Sequence, residues 1–483
     1  MYLGLDIGTS SVKAVLVDAG QRIVASRTTP LEVSRPHPGW SEQDADSWWV
    51  ACQAVLDGLK AEHGKTLAAV KGIGLSGHMH GATLLDAAYR PLRPCILWND
   101  GRSAEEAREL SDASERITGN IAMPGFTAPK LVWVQRHEPE VFAKLKTVLL
   151  PKDYVRLKLT GEKASDMSDS AGTLWLETAK RDWSDEMLAL TDLDRSFMPK
   201  LYEGSAVTGT PRPELASRWG MTAKVVVAGG GGDNAASGCG VGAVAPGTGF
   251  ISIGTSGVIF VTADRYRGNP AGAGHAFCHA VPGTWHQMGV SLSAAGSLDW
   301  LAHVLNASAG DLVGDLGESP SGPSSLLFLP YLSGERTPHN DVAVRGAFAG
   351  LDQSHGRRDL TQAVLEGVAF AFKDCFDVLT MPLGLPRRLI AVGGGSRSRY
   401  WLQVIATVLD IPIAVPADGD FGAAFGAARL GLIAAENADP FAVCAPPAIR
   451  ETIEPIAGLV ESYGVAHAAY CDLYPAIKEA MPQ

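Results

Sequence analysis

The chain has no C-x-x-C pair, and its seven cysteines (Cys52, Cys95, Cys239, Cys278, Cys375, Cys444, Cys471) are scattered and odd in number. That argues against a disulfide or zinc framework and for reduced, mostly buried thiols in a cytoplasmic protein. No apolar run reaches membrane-spanning length, and the opening MYLGLDIG lacks the charged start and apolar core of a signal peptide. Positive charge is in deficit: 41 Lys and Arg stand against 52 Asp and Glu, a formal charge of -11. A nucleic acid or an anionic membrane as main partner would call for a basic face, so neither is expected. Two nucleotide signatures are also missing, G-x-x-x-x-G-K-[ST] and a G-x-G-x-x-G in a βαβ setting, which argues against a P-loop or dinucleotide enzyme. What remains is the composition of a globular enzyme, 46% apolar and 19% charged over 483 residues, with two large domains as the simplest division.

The stretch Val225 to Asp233, VVVAGGGGD, is the most informative in the chain. A short β-branched run ends in four glycines and a carboxylate, so Asp233 is placed past a strand end and can reach into a cleft. It is the candidate catalytic base, with the glycines read as room for a ligand; a flexible turn with a surface aspartate is the alternative. At the start of the chain, Leu3, Leu5 and Ile7 alternate with Gly4, Asp6 and Gly8, the period of a half-buried strand that turns Asp6 away from the core. Strands at Val12 to Val17 and through Ile23 and Val24 complete a meander. Ser41 to Asp44 resembles a capping box for a helix through Trp48, Val55 and Leu59 that stops at Gly64, and Val70 to Leu75 reads as a parallel strand.

Ile253 to Val258 (IGTSGV) repeats Ile7 to Val12 (IGTSSV), with apolar strands on either side of both copies. One duplicated architecture is implied, in which Ser252 stands where the first copy has Asp6. The boundary is expected in the Pro/Gly-rich Val244 to Gly249, dividing the chain into 1–244 and 245–483. The second half reads as strands near Phe250 to Val261, Ala276 to Val281 and Trp285 to Val290, then helices from Ser293 to Leu305 and from Asp359 to Leu379. A strand from Arg388 runs into Gly393-Gly394-Gly395-Ser396 ahead of a helix starting near Ser398. A last strand, Ile411 to Val415, and a small-residue helix, Phe421 to Leu432, complete the pattern. Gly8 to Ser11, Gly254 to Gly257 and Gly393 to Ser396 are thus three glycine/hydroxyl turns at strand ends, together suggestive of phosphate clamps.

These features resemble the actin-like ATPase superfold and, within it, the FGGY carbohydrate kinases. The family's two long patterns are matched by Gly125 to His137 (GFTAPKLVWVQRH) and by Gly346 to Leu351 (GAFAGL) continuing to Asp359 to Glu366 (DLTQAVLE). HMHGATLLD (78 to 86), LWNDGR (97 to 102), LPKDY (150 to 154), SDMSD (165 to 169) and YLSGERTPHND (331 to 341) resemble its branch acting on D-xylulose. The resemblance implies an α/β fold of two ribonuclease-H-like domains around a cleft. It also implies phosphorylation of a sugar by ATP with Mg2+, Asp233 as base on the C5 hydroxyl, and Asp6 near the metal.

For the sugar it implies Met79, His80, Asn99, Asp100 and Arg102 beside Asp233 and Asn234. For the nucleotide it implies Thr9, Ser10 and Lys13, then Gly254 and Thr255 at the β/γ-phosphates, Gly394, Gly395 and Ser396 at the α-phosphate and ribose, and Ser398 beside adenine. Lys13 is equally readable as a solvated strand lysine; His78 and His80 are also readable as structural histidines or a zinc pair, although no nearby Cys or third ligand completes a metal site, and Glu335 with Arg336 reads as a structural ion pair or as fixing the interdomain cleft. The partners are then a sugar and ATP, with no nucleic acid or membrane and a homodimer left open.

Overall fold

The structure is a computed structural model that describes residues 1–480 apart from Leu385, Asp418 and Asp420. β1 (Tyr2–Ile7), β2 (Ser11–Val17) and β3 (Ile23–Pro30) form the expected antiparallel meander. β4 (Gly72–Gly77) adds parallel to β1. Beyond it come β5 (Val207–Gly209) and β6 (Val226–Ala228), with β6 parallel to β4 and β5 antiparallel at the edge. A two-residue strand, β7 (Gly231–Gly232), pairs with the end of β4. Leu3, Leu5 and Ile7 enter a core shared with Trp48, Val55 and Leu59 of α1 (Ala45–Ala68). Gly4 and Asp6 accordingly take the opposite face.

The second sheet comprises β8 (Gly249–Ile253), β9 (Gly257–Ala263), β10 (His275–Cys278), β11 (Trp285–Ser291), β12 (Leu389–Val392), β13 (Ile413–Pro416) and β14 (Ile449–Ile453). Its order β10-β11-β9-β8-β12-β13-β14, read backwards, matches β5-β6-β4-β1-β2-β3 strand for strand, with β10 as an extra edge. The repeat seen in two hexapeptides is therefore a repeat of topology. The second hairpin is one residue tighter: Ile7 pairs with Val12, but Ile253 pairs with Gly257.

Four expectations change. The first helix is capped by Asp44, which accepts from the Asp46 amide, because Glu42 and Gln43 are already in a short strand against Cys95 and Ile96. It passes Gly64 with a kink at His63 and ends at Ala68. Parallel β4 begins at Gly72, two residues beyond the expected Val70. Strand Ile413–Pro416 is not the last, since β14 and a long C-terminal helix, Val460–Ala480, follow. That helix carries Gly464 and an internal Pro475, which break its sequence pattern without breaking the helix.

Two helices are exchanged between the sheets. After α2 (Pro151–Thr160), α3 (Asp233–Val241) follows the first sheet but sends Val241 into a core with Phe250, Phe260 and Ile390 of the second. α4 (Arg357–Leu383) and α5 (Arg399–Leu409) flank the second sheet, and then α6 (Ala423–Glu436) crosses back onto the first. Glycine makes this seam: a Cβ on Gly4 or Gly74 would lie 1.8 Å from the carbonyl oxygens of Ala424 or Ala427 in α6. Where α3 meets α6, a Cβ on Gly426 would lie 1.7 Å from the Ala236 oxygen. Gly74→Ala must lift α6 off the sheet, and overpacking of this kind costs about 1–3 kcal/mol. We expect its midpoint in a denaturant titration to fall accordingly; an unchanged midpoint would mean that the seam is loose.

Candidate active site

After β6 the chain turns through Gly229 and Gly230, pairs again as β7, and enters α3 with Asp233 as its first residue. The glycines admit the protein's own chain rather than a ligand. A Cβ on Gly229 would sit 2.1 Å from the Glu203 oxygen, and one on Gly230, at φ 80°, 2.1 Å from the Leu75 oxygen. The turn is also held from beneath by α2. Buried Arg156 donates to the Ala228 oxygen at 2.6 Å and to the Gly229 oxygen. The Gly232 amide donates to Ser168 Oγ at 3.1 Å, and that hydroxyl donates to Asp166 Oδ1 at 2.5 Å. Asp166 is paired in turn with Lys152 at 2.6 Å, and Lys152 with Asp153 at 2.6 Å, all three side chains 0% exposed. LPKDY and SDMSD thus position the turn from below.

Asp233 is half-buried, its Oδ1 accepting from the Asn234 amide at 2.7 Å and side chain at 2.9 Å. Burial and the nearby Asp6 carboxylate raise its pKa to about 7, against those two hydrogen bonds. Asp6 is raised as well, by burial, with Ser76 and Lys13 opposing. Both are its register partners, Ser76 on β4 and Lys13 on β2. Asp6 Oδ1 is buried without a hydrogen-bond partner among the described residues. Lys13 is half-buried beside this carboxylate, and burial lowers its pKa against the pull of Asp6. In the adjoining turn Thr9 Oγ1 accepts from the Trp98 indole at 3.0 Å, leaving its own proton to donate, and Ser10 is exposed.

Met79 is buried directly under the site, its Cγ 2.9 Å from where a Gly232 Cβ would be. His80, at φ 69°, shares a hydrogen bond with the Gly172 oxygen at 2.7 Å, while its own carbonyl accepts from Lys130 Nζ at 2.8 Å. The His80 ring lies 4.4 Å from Phe126, and Phe126 in turn 5.5 Å from His275 of the second half. His78 goes the other way, edge-on to Trp48, with burial lowering its pKa to about 3. The two imidazoles do not converge on a metal.

Asn99 is exposed at the same end, but Asp100 and Arg102 are spent on each other. Asp100 accepts two hydrogen bonds from the Arg102 side chain at 2.9 and 2.7 Å and one from the Ser41 amide at 2.6 Å. Arg102 also pairs with Glu42 at 2.7 Å and lies 3.5 Å over the Trp40 ring. These two hold the loop that presents Asn99.

Glu335 and Arg336 attract each other as opposite charges, but no side-chain hydrogen bond joins them. Glu335 accepts from Ser291 Oγ at 2.8 Å and from the amides of Leu292 and Arg336 at 3.0 and 2.7 Å. The Arg336 guanidinium instead reaches across to Gly125, near enough to His80, His275 and Lys130 to add to the lowering of their pKa values that burial causes. No described residue hydrogen-bonds to it. Its neighbour's sequence position suggested a pair, and only the fold shows the direction of the side chain.

On the far side of Asp233 a cavity of about 520 Å³ opens onto the second sheet. Gly393 and Ser396 line it, with Asn234 and Ser237 of α3 and with Arg397, Phe421 and Arg450. Asn234, expected at the sugar, therefore faces this cavity. Gly394 and Gly395 form a short 3-10 turn beside it, and the Ser398 hydroxyl oxygen accepts from the Trp401 amide at 3.1 Å as the cap of α5. Gly254 and Thr255 stand at the open β8–β9 turn, where their carbonyls accept from Ala295 and Ala294. Ser237 was legible only once α3 was known to start at Asp233, since a helix puts residues 234 and 237 on one face. Arg450 carries no signal in the sequence.

Comparison with known proteins bears on the family and the fold. Residues 1–240 match the model of the N-terminal domain of the FGGY family of carbohydrate kinases, and residues 249–435 that of its C-terminal domain. The chain is 49% identical over 486 residues to a xylulose kinase of Klebsiella pneumoniae, covering 100% of both chains. It is 52% identical over 439 residues to one of Escherichia coli, covering 90% of each. The crystal structure of a xyloylose kinase from Brucella ovis superposes with a TM-score of 0.97 at 58% identity, over 99% of this chain and 100% of the other.

Proposed function

The chain belongs to the FGGY family of carbohydrate kinases, and from that premise we propose that it transfers the γ-phosphoryl group of ATP to the C5 hydroxyl of D-xylulose. The observation that carries this reading is the position of Asp233 at the start of α3, beside Asp6 and next to Gly232, which packs on buried Met79, while the following Asn234 lines the cavity at Gly393; its pKa is raised to about 7. Phosphoryl transfer asks the protein for positioning, a proton acceptor and compensation of charge. Asp233 takes the proton of the C5 hydroxyl as that oxygen attacks the γ-phosphorus and ADP departs. The sugar lies along Met79, His80 and Asn99, and Arg336 adds its guanidinium from the second half.

ATP occupies the cavity at Gly393, Ser396, Asn234 and Ser237, and its phosphates run toward Thr9, Ser10, Lys13, Gly254 and Thr255. The partnerless buried oxygen of Asp6 fits a hydrated magnesium ion, which keeps most of its waters and neutralises phosphate charge when bound. We take 1–244 as the sugar-binding lobe and 245–483 as the nucleotide lobe, with closure of the cleft excluding water. Among the described residues, no helix is long and apolar enough to cross a membrane.

The choice of sugar rests on similarity to the two bacterial xylulose kinases. Coupled ADP release over D-xylulose, L-ribulose, D-gluconate and glycerol tests it. We expect kcat/KM for D-xylulose to exceed the others by at least about tenfold, the scale on which a few pocket contacts discriminate. A higher value for any other member of the panel would reassign the substrate, and no sugar-stimulated release would remove the kinase reading.

A further inference from the structure

We propose that Asp374, His467 and Cys471, which bridge α4 and the C-terminal helix α7 (Val460–Ala480), form a zinc site. His467 and Cys471 stand four residues apart on α7 and therefore share a face. Asp374 meets them from α4. The His467 Nε2 to Asp374 Oδ1 distance is 2.8 Å, Cys471 Sγ to Asp374 Oδ1 is 3.6 Å, and Cys471 Sγ to His467 Nε2 is 3.5 Å. The three donors thus form a small triangle, all within 4.8 Å of one another.

The triangle matches the metal. With Zn–S near 2.3 Å and Zn–N and Zn–O near 2.0 Å at tetrahedral angles, the edges are about 3.5 Å for S to N, 3.5 Å for S to O and 3.3 Å for N to O. Both sulfur edges already have that length. The nitrogen–oxygen edge must open by about 0.5 Å, exchanging one hydrogen bond for two metal bonds.

The setting is also that of a ligand group. The His467 and Asp374 side chains are 16% and 11% exposed, while Cys471 lies at the surface, so an ion can enter and a water can take the fourth position. The His467 ring is flanked by Phe370 at 5.8 Å and stacked on Tyr470 at 6.1 Å, which fixes its orientation. A thiolate and a carboxylate neutralise Zn2+, and Asp377 and Asp472 add negative potential nearby. Burial and Asp374 push the free thiol up to about 12, so zinc displaces its proton on binding. Bound metal would tie α7 to α4 and leave the phosphoryl-transfer residues untouched.

Tag-free full-length protein, stripped with chelator and kept free of nucleotide, is titrated with Zn2+ against a chromophoric chelator and with Co2+ for its thiolate charge-transfer absorption. The wild type should bind one equivalent with the cobalt–thiolate band and with release of a proton. Cys471→Ser should lose the band and weaken zinc binding by at least tenfold, His467→Ala should weaken it by a similar factor, and Asp377→Asn should leave the stoichiometry at one. Absence of saturable binding by the wild type overturns the proposal. So does an unchanged affinity and cobalt spectrum in both Cys471→Ser and His467→Ala.

Discussion

Replacing Asp233 by asparagine lowers kcat by about 10²- to 10⁴-fold, the range that a positioned general base contributes, while the dissociation constant for ATP stays within a few-fold. The amide keeps the size of the side chain and an acceptor for the Asn234 hydrogen bonds, but it cannot take a proton. The nucleotide cavity around Gly393 and Ser396 is built from other elements and remains. Steady-state assays with isothermal titration of ATP separate the two effects, and retention of kcat within a few-fold would assign the base elsewhere.

The same variant has a stability signature. The folded-state pKa of Asp233 is raised from 3.8 to about 7, so between those values the folded protein holds a proton that the unfolded chain has released. Stability therefore falls as pH rises through that window and levels off above it. Asparagine escapes this loss. The variant should melt a few degrees above the wild type at pH 8, with the difference vanishing near pH 4.

Lys152→Met is the second large effect, a loss of about 3–5 kcal/mol in unfolding free energy, because removal of one partner strands a buried charge cluster. Burial alone would lower the Lys152 pKa, yet Asp153, Asp166 and Asp169 raise it overall, so the ammonium holds the three carboxylates together. Without it Asp169 and Asp153, both raised already by burial, are left with Arg156 as their cation, and Asp153 keeps the hydrogen bond from Ser165 Oγ at 2.5 Å. The damage reaches the site through one chain of contacts: Lys152 to Asp166, Asp166 to Ser168, and Ser168 to the Gly232 amide next to Asp233. Urea unfolding measures the loss. A change under about 1 kcal/mol would show that the cluster is as easily replaced by apolar packing as some buried ion pairs are.

What the sequence disclosed and what it concealed divide along a physical line. Alternation placed Asp6 on the face away from the core, and a repeated hexapeptide disclosed a doubled topology, because both are properties of the local chain. The partner of a side chain is not local. Asp100 and Arg102 have the right chemistry for a sugar, but two residues of separation let them saturate each other. Arg336 has the right charge for Glu335 but points away from it. The four glycines before Asp233 proved to be spaces for Glu203, Leu75, Ala280 and Met79 in turn, and no pattern in one segment states which distant segment it must touch. The exchange of α3 and α6 was hidden for the same reason, although the glycines at positions 4, 72, 74 and 426 are its trace. The roles proposed for Lys13 and His80 come from resemblance to the family, because the bare pattern left them open.

The pH dependence of kcat/KM for D-xylulose at limiting ATP tests the central assignment most directly, because this parameter reports the free enzyme's essential base. With Asp233 as that base and its pKa raised to about 7, a plateau at alkaline pH and a tenfold fall per unit below neutrality are expected. A profile flat down to pH 5 would contradict that assignment.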